Sequence, residues 1–87
     1  MQIRIPDTTL STDLHGGGVL LNLATGEYYG LDEVAMDMWR SLEACGSVEA
    51  ARGRLLAEYD VEAPALEHDL RAFVATLVQR GLVLCNE

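Results

Sequence analysis

Basic side chains are scarce in this chain of 87 residues: Lys and Arg together number 6 against 14 Asp and Glu, a net charge of −8. A surface so short of cations opposes nucleic-acid phosphate, whose binding depends on Lys and Arg displacing counterions. It equally opposes an anionic membrane surface. No apolar run approaches the roughly 18–20 residues needed to cross a bilayer. The opening residues Met1-Gln2-Ile3-Arg4-Ile5-Pro6-Asp7 lack the apolar stretch of a secretory signal, so the sequence reads as cytoplasmic. Cysteine is also rare. Cys45 and Cys85 are too few for the disulfide framework of a small secreted scaffold and read as free thiols acting as small apolar residues. What is abundant is apolar side chain, 49% of the chain, with 23% charged, which excludes a disordered polymer. The length fits one small domain over residues 1–87, able to bury about 60–65% of its unfolded surface.

No repeat or low-complexity stretch divides the chain. Its hydrophobic period does. Leu10, Thr12 and Leu14 alternate with Ser11 and Asp13. After His15-Gly16-Gly17-Gly18, Val19, Leu21 and Leu23 point to one face and Leu20 and Asn22 to the other. Ala24-Thr25-Gly26 suits a tight hairpin, with Gly26 at its left-handed position, and Glu27 to Leu31 forms a third strand carrying Tyr28 and Tyr29. Gln2 to Ile5 adds a short extra strand.

From Asp32 onward the period becomes helical. Asp32 is a candidate N-cap, Val34, Ala35, Met38, Trp39 and Leu42 form a stripe, and Gly46 ends the helix. Ser47 caps a second helix whose inner face is Val48, Ala51, Leu55 and Tyr59. Pro64 opens a third, with the stripe Leu66, Leu70, Phe73, Val74 and Leu77 and a glycine cap at Gly81. Leu82, Val83 and Leu84 form an apolar tail that packs back on the core. The order is a three-stranded antiparallel meander followed by three helices, an α+β arrangement resembling a winged helix-turn-helix. That fold analogy raises the DNA-binding alternative. The third helix argues against it, because Glu67, Asp69, Arg71, Gln79 and Arg80 make no basic cluster to aim at base edges.

Catalytic constellations are absent from the sequence. His15 and His68 share no metal-ligand spacing and read as solvent-facing. No nucleophile has a base and an orienting group. Gly16-Gly17-Gly18 lacks the GK[ST] of a phosphate loop and reads as a hairpin turn. The expectation is therefore a chain that is not an enzyme and holds neither cofactor nor metal. Binding is the alternative: the third strand has one edge paired and one free, and a free edge accepts an extended peptide as an added strand.

The run Gly18-Val19-Leu20-Leu21-Asn22-Leu23-Ala24-Thr25-Gly26-Glu27-Tyr28-Tyr29-Gly30-Leu31-Asp32 resembles the signature of the PqqD-like family. Met38-Trp39, Ser47-Val48-Glu49, Leu66-Glu67-His68-Asp69-Leu70 and Gly81-Leu82-Val83 follow in the family's order, so the resemblance spans about residues 10–84. It implies a recognition element for ribosomally made, modified peptides, which binds the leader segment of a precursor and presents it to a modifying enzyme. Within the family the chain looks most like the stand-alone leader-binding protein of lasso-peptide clusters, whose partner is a leader peptidase of transglutaminase-like fold. The near alternative is a PqqD-type partner of a radical-SAM enzyme. The resemblance puts Glu27, Tyr28, Tyr29, Gly30 and Leu31 on the strand side of the peptide site. It puts Leu66, Asp69, Leu70, Phe73, Val74 and Leu77 on the helix side, where those facing the first two helices belong to the core.

Overall fold

The computed structural model describes residues 1–86. Its elements run β1 (Gln2–Arg4), β2 (Thr9–Leu14), β3 (Gly17–Asn22), β4 (Glu27–Asp32), α1 (Glu33–Cys45), α2 (Val48–Glu58), α3 (Ala63–Gln79) and β5 (Leu84–Asn86). β2, β3 and β4 form the antiparallel meander with β3 in the middle, followed by three helices, which is the α+β order read from the periodicity. Leu21 lies opposite Leu10 and Tyr28, and Leu20 opposite Ser11 and Tyr29. Gly26 sits at φ 77° in the β3–β4 turn, a conformation costly for residues with a Cβ. Asn22 organises that turn, its carbonyl accepting from Gly26 N at 2.7 Å and its Oδ1 from Ala24 N at 2.9 Å.

The caps stand where the sequence puts them. Asp32 Oδ1 accepts from Ala35 N at 2.8 Å, Ser47 Oγ accepts from Ala50 N at 3.1 Å, and Gly46 ends α1 at φ 70°. These contacts satisfy backbone groups that the helix ends leave unpaired. The core gathers Leu20 and Leu31 from the sheet, Trp39 and Leu42 from α1, Ala51 and Leu55 from α2, and Leu70, Val74 and Leu77 from α3. Each fully buried Leu stabilises the fold by about 1.5–3 kcal/mol.

Two features depart from the sequence reading. Helical spacing alone puts Val34 in the inward stripe of α1, yet Val34 is 54% exposed and Met36 is buried in its place. The reason lies across the interface: Met36 fills the space that Gly18 leaves on β3, where an added Cβ would come within 2.6 Å of the Met36 sulfur. The tail also divides. Leu82 and Val83 are buried as expected, but Leu84 is exposed and starts β5, which pairs antiparallel with β1 through Ile3 and Cys85. The early strand at Gln2–Arg4 is real, and β5 is its partner.

Candidate peptide-binding edge

β4 pairs with β3 on one side only; its other edge has no partner among the described residues. Alternation decides what that edge offers. Tyr28 and Gly30 point away from the helices: Tyr28 is 71% exposed, and a Cβ on Gly30 would meet nothing. Leu31 turns inward and is buried, and Tyr29, on the same face, is half-buried against the core. Glu27 opens the strand and is exposed. One tyrosine of the pair therefore packs and the other is presented to solvent.

α3 runs alongside, and two contacts fix its direction. At the β3–β4 turn, Asn22 Nδ2 donates to Arg80 O at 2.9 Å, and the Arg80 guanidinium carbon lies 5.0 Å from the centroid of the Tyr29 ring. At the far end of β4, the first turns of α3 meet the start of α1. The helix thus descends from Asp32 toward Glu27 while the strand ascends. Helical geometry then separates two stripes of α3. Leu70, Val74 and Leu77 point into the core. Leu66, Asp69, Phe73, Thr76 and Arg80, at alternating steps of three and four, form the neighbouring stripe, whose last member lies over Tyr29 of the strand and whose first two line a hollow shared with α1 and α2. Leu66 is half-buried, Asp69 exposed, and Phe73 buried but the least enclosed of the α3 core residues at 8%.

Where α1, α2 and α3 converge near Asp32, an apolar hollow of about 190 Å³ opens. Val34, Met38, Leu55, Tyr59, Val61, Ala65, Leu66 and Asp69 line it. One wall is pinned electrostatically: the Tyr59 hydroxyl donates to Asp37 Oδ2, tying the end of α2 to α1. That bond to a carboxylate, then burial and the Asp37 charge, push the phenol up to about 12. A larger hollow of about 360 Å³ lies at the His15–Gly17 turn, lined by Glu33, Asp37 and Arg40 and by no residue of α3. It is polar, and Arg40 is already engaged with Asp13 at 2.8 Å.

The structure thus places Arg80 over Tyr29 toward one end of α3 and Leu66 and Asp69 at the hollow toward the other, and assigns Leu31, Leu70, Phe73, Val74 and Leu77 to the core. Sequence reasoning missed Val34, Val61 and Arg80. Val61 gave little signal, being a lone apolar residue in the α2–α3 connection. Val34 was misleading, because helical spacing fits it as well as Met36. Arg80 stood outside every apolar stripe. Among the described residues no group of His, Cys, Asp and Glu is placed to hold a metal, and no helix is long and apolar enough to cross a membrane.

A half-open antiparallel sheet beside a helix, with an apolar hollow at one end, is the kind of α+β arrangement to which an extended peptide can add as a strand. The chain belongs to the PqqD family (coenzyme PQQ synthesis protein D), which matches residues 17–83. Among solved structures it is similar to TbiB1 in complex with the TbiA(beta) leader peptide, at 36% identity over 97% of this chain and 98% of that one, with a TM-score of 0.87. It is also similar to a lasso peptide synthetase B1 complexed with the leader peptide, at 28% identity over 98% of this chain and 100% of that one, with a TM-score of 0.83. No significant match is found among curated proteins.

Proposed function

We propose that this chain is a non-catalytic leader-peptide recognition domain, cytoplasmic and spanning residues 1–87, that captures the leader of a ribosomal precursor peptide and presents it to a leader peptidase in lasso-peptide biosynthesis. The observation that carries the reading is the unpaired edge of β4 lying beside α3, with the apolar hollow at its end. An added strand pairs its backbone with β4 and turns alternate side chains toward Tyr29, Leu66, Asp69 and Phe73. Backbone pairing sets register, and the hollow at Val34 and Leu66 selects an apolar or aromatic side chain. Both solved neighbours contain a leader peptide, and one is a lasso peptide synthetase component, which favours the lasso pathway over the radical-SAM alternative. The acidic surface, a net −8, steers the encounter toward a basic patch of the peptidase or of the precursor, affecting rate more than affinity.

The expected affinity lies between about micromolar and nanomolar, or about 8–12 kcal/mol. Titrating the isotope-labelled protein with its leader should shift the amides of residues 27–31 and of α3. Shifts concentrated on β2 instead would place the guest on the wrong edge and sink the model. An alanine scan of the leader against the unaltered protein should find at least one position costing more than about 1 kcal/mol. A flat scan rejects the role given to the hollow.

A further inference from the structure

We infer that Arg80 is a specificity-determining residue that reads an acidic side chain of the bound strand at the end of the site nearest the β3–β4 turn; this rests on strand addition to β4. All six basic side chains of the chain are arginines. Arg40, Arg54 and Arg71 are each engaged by carboxylates: Arg40 by Asp13 and Asp37, Arg54 by Glu58, Arg71 by Glu49 and Glu67. Arg4, Arg52 and Arg80 have no carboxylate within ion-pair distance among the described residues, and of these Arg80 is the one that lies against β4; even Glu27, two residues before Tyr29 on the same strand, does not reach Arg80. Its guanidinium instead lies over the Tyr29 ring at 5.0 Å.

Stacking of this kind leaves the edge of the guanidinium, with its fork of N–H donors, available to a carboxylate while fixing the plane in which they point. The backbone is fixed as well. Arg80 N donates to Thr76 O at 3.0 Å, and Arg80 O accepts from Asn22 Nδ2 at 2.9 Å. Asn22 belongs to the central strand β3 and Tyr29 to the edge strand β4. The side chain therefore extends from beneath β3 outward to β4, toward the unpaired edge. A guest residue directly opposite Tyr29, on the same face, places its Cβ about 4.5–5.5 Å from that of Tyr29. An Asp or Glu at that position comes within reach of the guanidinium.

The opposite end of the site carries the opposite sign. Asp69 stands on the same α3 stripe three turns earlier, exposed and without an ion pair among the described residues. A strand entering antiparallel to β4 then meets Asp69 first and Arg80 last, so the site prefers a guest with a basic or neutral residue early and an acidic residue late. This charge polarity distinguishes the two directions in which an extended peptide could lie along the edge, which backbone pairing alone does poorly.

The test uses the full chain and a displayed library of random peptides slightly longer than β4, selected in parallel against the unaltered protein, Arg80→Gln and Arg80→Glu. Because the contacts that fix Arg80 in the fold are backbone contacts, the variants should keep the emission spectrum of the buried Trp39. Binders to the unaltered protein should favour Asp or Glu over Lys at one position by about threefold, as for a partly exposed ion pair. That preference should vanish with Arg80→Gln and invert to Lys or Arg with Arg80→Glu. Counter-selection with Val34→Asp tells the two levels apart. Binders that lose affinity for Val34→Asp but show no inversion overturn the role of Arg80 alone. Binders indifferent to Val34→Asp overturn strand addition beside the hollow, and the Arg80 reading with it.

Discussion

The sheet has two open edges, and they are not equivalent. β2 overhangs the molecule: from Leu10 to Leu14 every residue is exposed, whichever face it points to. β4 is seated: Leu31 is buried, Tyr29 half-buried, and Arg80 at the end of α3 lies over the Tyr29 ring. Both edges offer unpaired backbone groups, which supply affinity with little selectivity. Only β4 adds packed side chains to sort those of a guest. A free edge becomes a recognition site when a packed element beside it supplies pockets at the strand's two-residue period.

The strongest way to break the difference is to detach β4 from its support. A Cβ at Gly17 would stand 2.2 Å from the carbonyl oxygen of Leu31, across the β3–β4 pair. Gly17→Ala should destabilise the protein by about 2–3 kcal/mol, as expected of forced overpacking. Urea unfolding followed by Trp39 emission measures it. The control is Gly30→Ala on β4 itself, where the new methyl meets nothing; its cost should stay within about 0.5 kcal/mol. Similar losses in both variants would mean the clash at Gly17 relaxes freely and the pairing is not rigid.

A matched pair sharpens the comparison in binding. Val34, beside the β4 side of the molecule, and Leu14, on β2, are 54% and 55% exposed. Val34→Asp puts a carboxylate into the apolar hollow, at a helix N-terminus that tolerates negative charge, and should weaken leader binding at least tenfold, about 1.4 kcal/mol. Leu14→Asp should change it less than twofold. Calorimetric titration decides, and equal effects would erase the distinction between the edges.

A smaller effect is expected at Asp69. Asp69→Asn keeps the shape and removes one charge. If Asp69 meets a basic leader residue, the change should weaken binding by about 0.2–1 kcal/mol and flatten its salt dependence. Unchanged affinity with an unchanged salt slope would return Asp69 to a solvated carboxylate. Steering toward the peptidase is separable by stopped-flow association at two ionic strengths.

The smallest effect at neutral pH concerns the wall of the hollow. The Tyr59 phenol is raised from its ordinary value near 10 to about 12 in the folded protein. A raised value means the contribution is fully present below the unfolded value and is lost as pH climbs from about 10 toward 12. Stability should therefore fall across that window in the unaltered protein, and this component of the fall should be missing in Tyr59→Phe. Parallel curves for the two proteins would show that the bond to Asp37 does not couple to folding.

Much of this was legible in the residues because the signals were local. The switch from period two to period 3.6 at Asp32, the caps at Asp32 and Ser47, and the glycines at 26, 46 and 81 each act within a few residues. The structure places every one as read. Locality also explains the failures. Val34 and Met36 cannot be ranked without knowing that Gly18 leaves room for Met36. β5 is three residues long and has meaning only against β1, at the other end of the chain. The stripe of Leu66, Asp69 and Phe73 differs from that of Leu70, Val74 and Leu77 by a modest rotation about the helix axis. Only the position of β4 says which one faces the proposed site. Arg80 meets its partners Tyr29 and Asn22 only in the fold, since both lie more than 50 residues away in sequence.

The pairing of β1 with β5 has a kinetic meaning. Ile3 and Cys85 meet across nearly the whole chain, whereas β2, β3 and β4 are joined by turns of a few residues. Loop-closure entropy makes such a contact slow to form until the intervening chain is compact. The meander and its flanking helix can assemble first, and the clasp of the two end strands closes last. If the clasp closes last, hydrogen exchange should find the amides of β5 opening before those of β3 and β4. Because the clasp lies in a separate two-stranded sheet, its fraying leaves the hydrogen bonds between β3 and β4 intact. The edge proposed to receive the leader thus lies in a sheet that fraying at the chain's two ends does not interrupt.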